Sequence, residues 1–438
     1  MAVSWLILPV FTIAAQAQTA SLEDLAGERA VVRFLSNCDA QGKALWGKSL
    51  CGPIVIVDAK THWTVASEPD PDKKFEKRGN VYVGVLPSNF DVANTAFDWG
   101  GRRWTMVMSP LPVDPYSQVA LVTHEAFHRV QDSMGLSGSD QPNPQLDTMN
   151  GRLWFRLELR ALARALRAES DRDLLKSVAD ALLFRAQRYS SFEGARQREA
   201  ALERQEGLPE YTGTMVAMKE TGEVASRVAR QVESFEDQQA YARSFAYVTG
   251  PAMGLLLDRL APEWRKRVRG GASLESQLIE SSQFKVPSGL EAAAVASSER
   301  YGFRAVAASE REREARHQAF LESLTKTFVD GPALSFPKTP SLYRNFNPYA
   351  LVPFGAQGTF YPTGAFRAEW GTLKVESVGA ILSSDNMSVR VAAPADAQGR
   401  PVKGPGWTLE LAPGWTIRPV SGRAGSFEVI SAGNDARQ

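Results

Sequence analysis

The sequence predicts an α+β protein: a β-rich N-terminal subdomain, a long helical subdomain, and a C-terminal all-β domain. Three observations carry that reading. From about residue 22 to 112, runs rich in β-branched and aromatic residues are separated by turn-forming clusters. From Gln118 to about Phe328 apolar residues recur at helical spacing. Beyond Asp330 prolines gather, and alternation of period two then returns. The boundaries that follow are 1–17, 18–115, 116–328, a linker over 329–345, and 346–438.

The first segment reads as an export signal. Trp5 to Ala15 form an apolar core, and Ala15-Gln16-Ala17 is an A-x-A cleavage site. The stretch before the apolar core departs from the usual pattern, because it carries no Lys or Arg. An uncleaved anchor, or a start placed too late, is the alternative. The apolar run is short for a bilayer span, and no later segment reads as transmembrane. An exported protein, periplasmic or secreted, is therefore expected. Cys38 and Cys51 are the only cysteines, and in an oxidising compartment such a pair is expected to form a disulfide.

In the N-terminal region the strand candidates are Ala30 to Leu35, Pro53 to Val57, His62 to Ala66, Val81 to Val85 and Arg103 to Met108. The helical region offers Gln118 to Asp132, Leu146 to Arg167, Asp171 to Tyr189, and Gln197 to Phe235 with a break at Gly207-Leu208-Pro209. Gln238 to Leu260 and Leu290 to Lys326 continue it, and the charged run Glu310 to Glu314 reads as a solvated helix face. In the last region Leu373 to Val378, Met387 to Val391 and Trp407 to Leu411 alternate, as in a small sandwich or half-barrel.

Composition narrows function. At 438 residues and 44% apolar, the chain buries a real core. A net charge of +1 supplies no global field for nucleic acid. There is no phosphate-cradling P-loop and no dinucleotide glycine fingerprint.

One stretch carries chemistry. The chain has four histidines, and two stand in His124-Glu125-Ala126-Phe127-His128. Side chains four apart on a helix share a face, so both imidazoles can hold one metal ion with Glu125 beside them. Zinc held by two histidines needs a third protein ligand and leaves one position for water. No further histidine is close in sequence; His62 and His317 are distant. Two glutamates on later helices compete. Glu158 lies in a strongly apolar helix, where a carboxylate must be partnered, with Arg152, Arg156 and Arg160 near. Glu206 is followed by a glycine that permits close backbone approach.

His124-Glu125-x-x-His128 with a glutamate on a later helix resembles the layout of the gluzincin metallopeptidases. Glu206-Gly207-Leu208-Pro209-Glu210-Tyr211 is similar to the segment in which many of them place the third zinc ligand. Tyr247-Val248-Thr249-Gly250-Pro251 is similar to their Tyr-x-x-Gly helix. The resemblance covers about residues 100 to 260. It implies a zincin-like core, a Zn2+ cofactor, a peptide or protein substrate, and hydrolysis of peptide bonds. It also implies His124, His128 and Glu206 as ligands in preference to Glu158, Glu125 as general base, and Tyr247 as donor to the developing oxyanion. Strand Arg103 to Met108 would offer an edge to an extended peptide. The pattern departs from the family in three places. The gap from His128 to Glu206 is long, Pro209 replaces a small residue, and a Gly-x-Met-Glu-Asn segment is missing, so aminopeptidase action does not follow. Two rivals remain: a zinc hydrolase acting on a non-peptide ester or amide, and an exported binding or assembly protein on a zincin-like scaffold. An intact Glu125 speaks against the second, since pure binding has no use for a base.

Overall fold

Four successive β-branched residues, Ile54 to Val57, make the centre of the first sheet. Alternate side chains leave a strand on opposite faces. Ile54 and Ile56 accordingly join the core beneath the helices, while Val55 and Val57 pack with Trp104, Met106 and Phe75 on the other face. Burial on both faces explains why this strand is a continuous apolar run. The computed structural model describes residues 22–218, 223–238, 240–347 and 350–432, so the expected signal over residues 1–17 lies outside it. The chain divides into two units, Met1–Glu310 and Arg311–Gln438.

In the first unit the strands are β1 (Ile54–Asp58), β2 (Trp63–Ala66), β3 (Glu76–Arg78), β4 (Val81–Val85), β5 (Thr95–Trp99) and β6 (Arg102–Ser109). They form one sheet in the order β3-β4-β2-β1-β6-β5. Only β1 and β6 run parallel, with Ile54 opposite Thr105 and Asp58 opposite Ser109. Strand β6 was expected to be an edge, and it is not. A turn at Gly100-Gly101 folds β5 back along it, Thr95 facing Met106, so β5 is the edge. The short Thr95 to Trp99 stretch carries too few alternations to announce itself as a strand.

The expected strand Ala30 to Leu35 is instead part of helix α1 (Leu22–Trp46). Buried Ala30, Val31, Phe34, Cys38, Leu45 and Trp46 form one stripe at helical spacing. Val32 and Leu35, each 41% exposed, are apolar residues on the opposite face that lend the run its strand-like look. Cys38 and Cys51 are joined in a disulfide, as expected. Arg129 of the histidine helix donates to the carbonyls of Leu50 and Cys51, tying the bridged segment to that helix. Replacing both cysteines by serine is expected to cost about 3 kcal/mol, the loop-closure entropy of a bridge of this span. Denaturant unfolding of the oxidised protein and the double variant measures it.

The remainder of the unit is helical: α2 (Pro115–Gln131), α3 (Met149–Leu166), α4 (Asp171–Ser190), α5 (Ala195–Leu202), α6 (Leu208–Met218), α7 (Val224–Phe235), α8 (Ala246–Leu260), α9 (Trp264–Arg269), α10 (Leu274–Ser282) and α11 (Leu290–Ser298). Helix α12 (Phe303–Leu324) runs past the division between the units. The break expected at Gly207-Leu208-Pro209 is no break. Helix α5 widens into a π turn, Glu203–Gly207, and continues as α6. Pro209 lies inside this continuous run with no N–H to give, and the Gln131 amide donates to the carbonyls of Arg204 and Gln205 one turn before it. The run from Glu310 is only partly a solvated face, because Glu310 is buried against Arg152 and Arg156. No helix among the described residues is long and apolar enough to cross a membrane.

The second unit is β-rich. Its strands are β7 (Ala333–Ser335), β8 (Tyr343–Asn345), β9 (Val352–Pro353), β10 (Thr359–Tyr361), β11 (Gly364–Ala368), β12 (Gly371–Val375), β13 (Ala380–Leu382), β14 (Val389–Ala392), β15 (Val402–Gly404), β16 (Trp407–Leu411), β17 (Trp415–Pro419) and β18 (Phe427–Ser431). Two sheets, β17-β18-β7-β14-β13-β10-β9 and β15-β16-β12-β11-β8, share one core containing Trp370, Trp407, Phe366 and Leu382, which makes a sandwich. Strands β7 and β8 lie in the stretch read as linker, and β7 is central to its sheet. Four residues between Pro332 and Pro337 are too few to show a period.

Candidate metal centre

Helix α2 starts at Pro115, a turn earlier than the expected Gln118. Asp114 accepts the Ser117 N–H as N-cap, and Pro115 takes the first position. Val119, Val122, Ala126, Phe127 and Val130 anchor it in the core and so fix its rotation. His124 and His128 then lie one turn apart on a single face. Helix α6 packs against α2 at very short range. A Cβ at Gly213 would fall 2.4 Å from the Ala120 carbonyl oxygen, so only glycine allows this approach. Glu206 and Glu210, one turn apart, are thereby carried to the histidines.

Three atoms converge. His124 Nε2 lies 3.2 Å from Glu206 Oε2 and 3.1 Å from His128 Nε2, and His128 Nε2 lies 3.5 Å from the same Glu206 oxygen. The outer nitrogens are also held. His124 Nδ1 lies 2.8 Å from Glu210 Oε2, a carboxylate oxygen that can only accept, so the ring donates there. His128 Nδ1 lies 2.8 Å from Gln131 Oε1. The Gln131 amide nitrogen donates to the carbonyls of Leu136, Arg204 and Gln205, which leaves its oxygen toward the ring. Both imidazoles therefore keep a proton on Nδ1, which directs Nε2 toward the point of convergence.

A cluster of this kind asks for a cation. Two ring nitrogens and a carboxylate oxygen crowd one point, and the Tyr247 hydroxyl donates to the same Glu206 Oε2 from 2.7 Å. Tetrahedral zinc with bonds of about 2.0–2.1 Å sets its ligand atoms roughly 3.3 Å apart. The observed separations of 3.1, 3.2 and 3.5 Å fit that size. Among the described residues, His124, His128 and Glu206 are the one group of three that could hold a metal ion.

In the metal-free chain the cluster is held by a proton, which an ion would displace. Burial works against a charged imidazole, yet the hydrogen bonds with Glu206 and Glu210 push His124 up to about 10. Burial would raise the Glu206 carboxyl, but His124, His128 and Tyr247 hold it well below the ordinary carboxylate range. Burial raises Glu125, and the two histidines offset this only in part. Tyr247 is raised by burial and then by the Glu206 charge, so its hydroxyl keeps its proton. Its ring stacks on His124 with centroids 5.4 Å apart and planes within 5°.

The structure thus brings His124, His128, Glu125, Glu206 and Tyr247 to one place. Glu158 is not there. Both its oxygens are bonded by Arg185 and Arg188 of α4, not by the arginines of its own helix. Two residues of the site were missed in the sequence: Glu210, four after Glu206, and Gln131, three after His128. Helical spacing was the available signal for each. Comparison with family models, with curated proteins and with solved structures finds no match for this chain.

Proposed function

We propose that the protein is an exported zinc-dependent hydrolase, a metallopeptidase built on the gluzincin plan. The observation that carries the reading is the convergence of two imidazole nitrogens, each ring held by an outer partner, and one carboxylate oxygen. The buried Glu125 next to them supports hydrolysis over storage or simple binding. The disulfide supports an oxidising compartment.

His124, His128 and Glu206 would hold the ion, with Glu210 and Gln131 fixing the tautomers. When bound, zinc supplies a Lewis acid that makes water acidic and polarises a scissile carbonyl. Glu125 takes the proton from the attacking water and passes it to the leaving amine, and its raised affinity for protons suits both transfers. Tyr247, 39% exposed at the rim, donates its hydroxyl hydrogen toward the developing oxyanion. Tyr247→Phe is expected to lower kcat about 100-fold with zinc content unchanged, as for loss of one oxyanion donor. Steady-state rates beside elemental analysis separate that from metal loss.

The reading is tested by measuring bound zinc and chelator-sensitive turnover on a panel of peptides and esters. Stoichiometric zinc with chelator-sensitive peptide cleavage supports it. Ester cleavage alone moves the substrate class. Zinc without turnover leaves a binding protein.

A further inference from the structure

The helix that presents Glu206 carries four glutamates in two pairs. Glu206 and Glu210 face the histidines. Glu199 and Glu203 face the opposite chemistry, two arginines of α4 with no access to solvent. Between the two pairs the chain makes its π turn, Glu203–Gly207, with Glu203 as its first residue. An extra residue per turn changes the angle at which everything beyond it projects, and single π turns inside α-helices are frequent at functional sites. We infer that Glu203, clamped by Arg185 and Thr249, is a positioning residue that sets the reach of Glu206 to the metal. The inference rests on the reading of the site given above.

The clamp is specific. Arg185 Nη2 and Nη1 donate to the two Glu203 oxygens at 2.7 and 3.1 Å, a bidentate fork. Thr249 of α8 donates to Glu203 Oε1 at 2.9 Å. Arg185 is fixed in turn by Glu158 at 2.7 Å, and Arg188 holds Glu158 and Glu199 at 2.7 and 2.6 Å. The arginines, Glu158, Glu199 and Glu203 are all at most 1% exposed. Helix α8 meets the turn where Gly250 faces Gly207, and a Cβ on Gly250 would fall 2.3 Å from the Gly207 Cα. That contact brings Tyr247, three residues before Gly250, onto Glu206. The same clamp therefore seats both the ligand and the tyrosine.

Stability alone does not account for such a cluster. Apolar residues of similar volume often serve a core as well as a buried ion pair or better. A bidentate pair offers direction instead: it defines one rotation of the helix and one width of the turn. One helical residue beyond the clamp, Arg204 donates to Gly135, Ser137 and Val268, which secures the outer side of the same turn.

The test uses the full chain and titrates metal-free protein with Zn2+ against a competing chelator, with Co2+ spectra as a report of coordination. Glu203→Gln is expected to weaken zinc about 10- to 100-fold, the range for loss of an outer partner, and to alter the cobalt spectrum. Thr249→Val keeps the arginine pair, protects against a failure to fold, and is expected to weaken zinc about 10-fold. Glu310→Gln breaks a buried pair elsewhere in the unit, and is expected to lower Tm while leaving zinc affinity and the spectrum unchanged. Folded Glu203→Gln and Thr249→Val proteins with wild-type zinc affinity and cobalt spectrum would overturn the inference while leaving the metal site intact. A wild-type chain that takes up no zinc overturns the reading of the site, and this inference with it.

Discussion

Glu125→Gln is expected to keep its zinc and lose its hydrolysis, by about 10²–10⁴-fold in kcat, the range for a general acid–base group. The substitution preserves shape and removes the only group proposed to accept a proton. Glu125 is buried beside the imidazoles, and it is not one of the three residues whose ligand atoms converge. Metal content and activity should therefore separate cleanly. Zinc by elemental analysis should match the wild type, while turnover falls and KM moves little, because binding contacts are untouched. A purified variant with full activity would remove Glu125 from the mechanism.

Glu206→Gln and Glu158→Gln should fail in opposite ways, and this is the second large effect. Glu206 is a partly exposed carboxylate whose oxygen faces both imidazoles. Its amide variant should stay folded and lose zinc at least about 100-fold, beyond the range for outer partners. His128→Ala should do the same. Glu158 is a fully buried anion between Arg185 and Arg188. Its amide variant should lose about 3–5 kcal/mol of stability, the cost of unpairing a buried charge, and keep zinc within about tenfold. Chelator-competition titration and denaturant unfolding on the same preparations read both quantities.

The pH dependence of the metal-free chain has a sign that follows from His124. Its folded-state value near 10 lies above the ordinary histidine value of 6.5. The stability it contributes is thus fully present below about 6.5 and is lost as pH rises toward about 10. Zinc must displace that proton, so affinity rises with pH across the same window. Metal-free stability and zinc affinity are expected to slope in opposite directions.

Much of the site was legible because helical spacing is a local property. His124, Glu125 and His128 share one helix, expected from Gln118 and found from Pro115. The candidate third ligand was not legible in that way. Glu158 and Glu206 both lie on later helices, and what separates them is tertiary: arginines of α4 claim the first, and the Gly213 approach delivers the second. The resemblance to gluzincins favoured Glu206, the residue the geometry places beside the histidines. Fold class followed from periodicity, and errors arose where short runs fit two periods. Ala30 to Leu35 looked like a strand because Val32 and Leu35 add apolar residues to the outer face of a helix. The π turn left only the Gly207-Leu208-Pro209 signal, which read as a break, because the clamp on Glu203 comes from α4 and α8.

The most direct measurement is the coordination of zinc in the loaded protein, by X-ray absorption or anomalous diffraction. The account predicts one ion with His124 Nε2, His128 Nε2 and a Glu206 oxygen at about 2.0–2.2 Å and one further light-atom ligand. Zinc bound through other residues, or rings of His124 and His128 that make no bond to it, would contradict the account.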